Sequence, residues 1–120
     1  MLGVGIDAVE ISRMEKFQSE DPFIKNVFTD AEREAEHGDF ARYYATRFAV
    51  KEAVLKSMSQ ALCGEITDIR KIESLNAKDG SPYVVMNEYT KGLLEKAGAE
   101  KIHISITHEG GLAIAVAVLG

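Results

Sequence analysis

Four charged residues crowd the stretch Arg47-Phe48-Ala49-Val50-Lys51-Glu52-Ala53-Val54-Leu55-Lys56. At about 100° per residue, Glu52 and Lys56 fall one helical turn apart, so a carboxylate and an ammonium share one stripe. The plain reading is an i,i+4 salt bridge worth about 0.2–0.5 kcal/mol. A second carboxylate shifts the balance. Met1 to Ile11 reads MLGVGIDAVEI, an apolar strand with Gly3 and Gly5 inside it and Asp7 near its end. Glycine inside a strand signals a neighbour packed close to the backbone. A carboxylate at the tip of a buried strand needs a partner or a cation. Magnesium is typically held by one or two carboxylates plus substrate phosphates, and Asp7 and Glu52 supply two. Their distance in sequence leaves open whether they meet. Two carboxylates with basic neighbours would also serve a metal-dependent phosphohydrolase.

The element that positions most of these groups is one long helix. Asp39 can cap it, and it runs to about Gln60. Thr46, Ala49, Val50, Ala53, Val54 and Ser57 form a small, mostly apolar half. Arg47, Lys51, Glu52 and Lys56 lie on the other half among Tyr44, Phe48, Leu55 and Met58, a face only partly wet. Before it, residues 2–8 form the first strand and Ser12 can cap a short helix over Arg13 to Phe17. Asp21-Pro22 restarts the chain as N-cap and first helical position. Thr29-Asp30-Ala31-Glu32 has capping-box spacing, predicting a helix that stops near Gly38. After it, residues 61–67 read as a loop. Asp68 to Asn76 and Ser81 to Met86 read as two strands of an antiparallel hairpin turning at Lys78-Asp79-Gly80. Asn87 can cap a helix through Ala97, ended by Gly98. Ile102, Ile104 and Ile106 alternate with His103, Ser105 and Thr107 in a further strand, and residues 112–119 form the last. Ala113, Ala115 and Ala117 leave one face of that last strand small enough for a helix to lie on. The sum is an α+β domain, an antiparallel or mixed sheet packed with one long central helix and shorter helices.

The 120 residues, 46% of them apolar, suit a single domain spanning 1–120. The formal net charge of −5, with acidic residues dispersed, speaks against a nucleic-acid partner, which calls for a basic patch. No apolar run is long enough for a membrane span and no signal-peptide pattern is seen, so a cytoplasmic location is the default expectation. The single cysteine, Cys63, excludes an internal disulfide and a cysteine-based zinc cluster.

The pair GVGIDAVEISR near the start and RFAVKEAVLK in the long helix resembles the holo-acyl-carrier-protein synthases, small 4′-phosphopantetheinyl transferases. Phe28-Thr29-x-x-Glu32, Asp79-Gly80-x-Pro82-Tyr83 and Ser105-Ile106-Thr107-His108 agree in the same order along the chain. The resemblance implies the 4′-phosphopantetheinyl transferase fold and transfer of the phosphopantetheine group of coenzyme A to a serine of apo acyl carrier protein. Adenosine 3′,5′-bisphosphate is released, in support of fatty acid biosynthesis. It implies magnesium, with manganese as a substitute, held by Asp7 and Glu52. Glu52 and Lys56 are the catalytic candidates: Glu52 for steering or accepting the serine proton, with a metal-bound water as the alternative acceptor, and Lys56 for phosphate charge. Arg47, Lys51, Lys56 and His108 are the coenzyme A candidates, with His108 against the adenosine part. Arg13, Lys16 and Lys25 are the candidates for the acidic carrier protein. Homotrimers with active sites between subunits are also implied.

The chain departs from the family pattern in three places. Gln18 to Asp21 reads Gln-Ser-Glu-Asp, where relatives often carry basic residues. Ser57 to Gly64 is longer and poorer in glycine than the usual Gly-Thr-Gly turn, and Ser81 stands where lysine or arginine is usual. The altered loop after Lys56 and the weak basic patch motivate, as an alternative, a domain that keeps the coenzyme A pocket and transfers nothing. His37 reads as a helix C-terminal cap and His103 as a surface strand residue.

Overall fold

A computed structural model describes residues 2–65 and 67–120 of the chain; Met1, and Ile66 within the expected 61–67 loop, lie outside the described residues. In order the elements are β1 (Gly3–Glu10), a 3-10 turn (Ile11–Met14), α1 (Pro22–Val27), α2 (Asp30–Glu34), α3 (Phe40–Ser57) and α4 (Ser59–Leu62). A second 3-10 turn (Ile69–Lys71), β2 (Ser74–Asn76), β3 (Pro82–Val84), α5 (Glu88–Ala97), β4 (Ile102–Glu109) and β5 (Leu112–Leu119) follow. Strands β1, β5 and β4 form one antiparallel sheet in that order, and β2 pairs antiparallel with β3 in a separate ribbon. The fold is therefore α+β, with the antiparallel arrangement of the two expected.

Helix α3 lies across the sheet. Ala113, Ala115 and Ala117 of β5 are buried beneath it, against Ala49, Val50, Ala53 and Val54. Small side chains on both sides let helix and sheet approach closely. The opposite sheet face carries Val4 and Ile6 of β1, exposed and paired with Val118 and Val116 of β5.

Several helix boundaries follow the capping chemistry. Thr29 and Glu32 form both halves of a capping box, Asp39 accepts a hydrogen bond from the Arg42 backbone N–H at 2.8 Å, and Asn87 accepts one from Thr90 at 2.9 Å. Gly98 closes α5 in the left-handed region.

Four expectations are corrected. Helix α3 ends at Ser57 rather than Gln60, because the Ser57 hydroxyl donates to the Val54 carbonyl at 2.6 Å and the chain restarts as the single turn α4. Asp68 to Asn76 is not a continuous strand. The carbonyls of Ile69, Arg70 and Ile72 all accept from the Lys51 ammonium, which bends 69–72 out of any ladder and leaves only 74–76 paired. The expected strand over 81–86 shortens to match it. The helix expected over 13–17 is a 3-10 turn instead, its start tied to the sheet by Ile11 N–H donating to the Gly111 carbonyl.

Candidate active site

Strand β1 touches α3 backbone to backbone. A Cβ on Gly5 would sit 2.1 Å from the Ala53 carbonyl oxygen, and one on Gly3 would sit 2.1 Å from that of Ser57. Only glycine fits at either position. The contact carries Asp7, two residues further on, to the end of α3 where Glu52 and Lys56 project. The Lys56 ammonium donates to Asp7 Oδ1 at 2.9 Å and to the Ile6 carbonyl at 3.1 Å. Lys56 thus turns to Asp7 and not to Glu52, its neighbour one turn back. Asp7 is nearly covered and Lys56 half exposed, with side-chain exposures of 16% and 53%.

The charges are coupled. Burial pushes the Glu52 carboxyl above the usual glutamate value, the Asp7 charge pushes it further, and Lys56 and Arg13 pull it back. The hydrogen bond to Asp7 and its charge raise Lys56. Asp7, Glu52, Lys56 and Arg13 therefore share one electrostatic neighbourhood. Two carboxylates that repel each other, offering only oxygen donors, fit a hard divalent cation. No group of three or more His, Cys, Asp and Glu is arranged to hold a metal among the described residues, so other oxygens must complete such a site.

About 15 Å further along α3, ten residues at 1.5 Å each, lies a second cluster. Arg42, Thr46, Arg47, Asn76 and His108 line a cavity of about 280 Å³. Arg42 Nη2 donates to His108 Nδ1 at 3.2 Å, which leaves the proton on Nε2 to face Thr46 Oγ1 at 2.7 Å. The Thr46 hydroxyl passes its own hydrogen to the Arg42 carbonyl at 2.7 Å. Burial, and then the Arg42 charge, hold His108 below the usual histidine value of 6.5, both favouring the uncharged ring. Arg47 is buried; it donates to Ser74 Oγ at 3.1 Å and to Asn76 Oδ1 at 3.0 Å. Arg42 and Asn76 were not among the sequence candidates. For Arg42 a signal existed, a cation four residues before Thr46 on the same stripe. For Asn76 none did, since it reaches the pocket only through pairing of β2.

Lys51 departs from expectation. Its ammonium is fully buried, 2.7 Å from Glu32 Oε1, and its two remaining N–H groups are shared among the carbonyls of Ile69, Arg70 and Ile72. With every donor taken in the core, it has nothing to offer a ligand phosphate. Arg13 lies over the Phe48 ring at 5.9 Å and Lys16 over Phe17 at 5.2 Å. Phe17 stacks on Phe23, which abuts Phe48, so one aromatic row links Lys16 to Arg13, whose charge reaches Glu52. Lys25 stands apart, neutralised by Glu20 at 2.7 Å. His37 bonds the Ala35 carbonyl just past α2, in line with a terminal cap, and His103 is exposed on β4.

Residues 3–117 match the 4′-phosphopantetheinyl transferase superfamily. The chain is 36% identical over 121 residues to the holo-[acyl-carrier-protein] synthase of Geotalea daltonii, covering 98% of this chain and 96% of that one. It is 41% identical over 123 residues to that of Syntrophus aciditrophicus, covering 98% and 94%. Among solved structures, the Neisseria meningitidis holo-[acyl-carrier-protein] synthase superposes with a TM-score of 0.81 at 25% identity, covering 100% of this chain and 98% of that one. The Helicobacter pylori enzyme in complex with coenzyme A superposes with a TM-score of 0.74 at 26% identity, covering 98% and 99%. The chain belongs to the 4′-phosphopantetheinyl transferase superfamily and, within it, to the holo-[acyl-carrier-protein] synthases.

Proposed function

We propose that this chain moves the 4′-phosphopantetheine group of coenzyme A onto a serine of apo acyl carrier protein, in the cytoplasm and in support of fatty acid biosynthesis. The observation that carries the reading is the convergence of Asp7 from β1 with Glu52 and Lys56 from α3, a two-carboxylate, one-ammonium cluster suited to a diphosphate. Asp7 and Glu52 would hold magnesium, whose charge would offset that of the diphosphate. Lys56 adds a cation at the transferring phosphoryl oxygens, where positioning and charge neutralisation do most of the work. The serine oxygen forms a bond to the phosphorus that bears the pantetheine arm. The bond from that phosphorus to the oxygen bridging the two phosphates breaks, and adenosine 3′,5′-bisphosphate leaves with the electron pair. Glu52, whose carboxyl is pushed up by burial and by Asp7, is suited to accept the serine proton. Arg47 and His108, joined by Arg42, serve the nucleotide part of coenzyme A. Arg13 and Lys16, spaced by aromatic rings, offer the acidic carrier protein a local basic surface.

A homotrimer with sites between subunits accords with two features. Arg42 and Thr46 stand about 15 Å along one helix from Glu52 and Lys56, and the outer face exposes Leu2, Val4 and Ile6 at 57%, 54% and 62%.

The test is incubation of purified protein with coenzyme A, magnesium and apo acyl carrier protein, read by carrier mass. The expected result is a gain of one phosphopantetheine group, abolished by EDTA. In Glu52→Gln the rate should fall by roughly three orders of magnitude with an unchanged melting curve. Full transfer with EDTA present, or by Glu52→Gln, overturns the mechanism.

A further inference from the structure

Glu32 and Lys51 are both fully buried, and the transfer chemistry uses neither. Burial pulls the Lys51 ammonium below the usual lysine value, with Glu32 pulling the other way. Replacing a buried ion pair with apolar side chains of similar volume is often neutral or stabilising, so stability alone does not account for this one. What a buried pair does well is fix register. This pair fixes four segments at one point. Glu32 Oε1 accepts from Lys51 and from the Thr29 backbone N–H at 2.9 Å, and Glu32 Oε2 accepts from the Ser74 backbone N–H at 2.9 Å. Lys51 holds the carbonyls of Ile69, Arg70 and Ile72, the last at 2.7 Å.

The consequence reaches Arg47, one turn before Lys51 on α3. Its guanidinium is gripped by Ser74 Oγ and Asn76 Oδ1, both on the short strand that Glu32 anchors through the Ser74 N–H. From the other side, Arg47 lies over the Tyr43 ring at 5.6 Å, and the Tyr43 hydroxyl donates to the Glu32 carbonyl. Ser74, Asn76 and Tyr43 are thus all tied to Glu32, Asn76 through the strand it shares with Ser74. Strand β2 has only three residues and one paired neighbour, too little to hold that geometry alone.

We infer that the Glu32–Lys51 pair is a positioning unit for ligand binding: it seats residues 69–76 on α3 so that Ser74, Asn76 and Tyr43 hold the Arg47 guanidinium at the wall of the nucleotide cavity. The inference rests on the coenzyme A reading of that cavity. It predicts that loss of the pair acts through Arg47 and weakens coenzyme A binding, while the Asp7–Glu52–Lys56 cluster keeps its competence.

A mutant cycle tests this, with coenzyme A dissociation constants measured by calorimetry for wild type, Arg47→Ala, Glu32→Leu/Lys51→Met and the triple variant. Arg47→Ala and the apolar pair are each expected to weaken binding on the order of tenfold, and the triple variant no more than Arg47→Ala alone. In the transfer assay the apolar pair raises KM for coenzyme A and leaves kcat within about twofold. Wild-type affinity in the apolar pair, or a triple loss equal to the product of the two separate losses, overturns the inference. If the apolar pair does not fold, the same cycle is run with Ser74→Ala/Asn76→Ala, which cuts the link to Arg47 outside the buried pair. The same lack of additivity is expected, and additivity overturns the inference there too. Wild-type protein that binds no coenzyme A removes the underlying reading itself, an outcome separate from either cycle result.

Discussion

Helix α3 carries two lysines five residues apart, and each sits against a carboxylate from another element. Lys56 meets Asp7 at 2.9 Å in a half-open setting; Lys51 meets Glu32 at 2.7 Å with no solvent on either side. The two pairs look alike in a sequence and differ in almost every physical respect. Lys56 is raised by its partner, and Lys51 is lowered by its surroundings. Lys51 has spent its hydrogens on Glu32 and on backbone carbonyls, whereas the exposed Lys56 faces solvent beside a second carboxylate, Glu52. Burial and spare hydrogen-bonding capacity, not residue type, separate a lysine that holds the chain together from one that can meet a substrate.

The contrast is open to attack. Its largest dependence is on the contact that creates the open pair. Gly5→Ala drives a Cβ into the Ala53 carbonyl, so a loss of more than about 4 kcal/mol is expected in chemical denaturation. A melt like wild type would show that β1 does not need its close seat on α3. Next comes the closed pair: Lys51→Ala leaves the Glu32 charge buried without its counter-charge and should cost about 3–5 kcal/mol. A smaller loss would mean that water or a neighbour replaces the ammonium. For the open pair, Lys56→Met should leave the melting curve in place while transfer falls about 100-fold. Equal damage to stability from both lysines would erase the distinction. The smallest effect concerns the second cluster. His108 is held below 6.5 by burial and by the Arg42 charge, so its folded value lies under its unfolded one. Its contribution is complete above the unfolded value and is lost as pH falls through the depressed one. An NMR titration should find the midpoint below 6.5, moving upward in Arg42→Ala. An unmoved midpoint would deny the Arg42–His108 contact.

Much of this was legible from residues alone where chemistry is local. The capping residues Thr29, Asp39 and Asn87 fixed helix starts because the groups they satisfy lie within three residues. The alanine face of the last strand announced a helix lying on it, and the two strand glycines announced a close neighbour. The seat of Lys51 was hidden, because a lysine on a charged stripe looks solvated until a distant segment folds over it. The same distant contact erased the strand expected through 68–73, since its carbonyls turn to an ammonium eighteen to twenty-one residues earlier. Asp7 with Glu52 was an expectation from family likeness rather than spacing. What brings them together is the paired approach of Gly3 and Gly5 to α3, a tertiary fact.

Strand β1 reads as two interleaved scripts. Its odd positions, Gly3, Gly5 and Asp7, face α3 and deliver a carboxylate; its even positions Val4 and Ile6, with Leu2 just before the strand, are the bare hydrophobes of the far surface. Because a strand alternates with period two, deleting or inserting one residue within it would swap the scripts wholesale, pressing isoleucine into the helix and turning the aspartate outward. Reading frame at the level of the fold is therefore as unforgiving here as it is in a codon, and it leaves these opening residues among the least tolerant of indels in the chain.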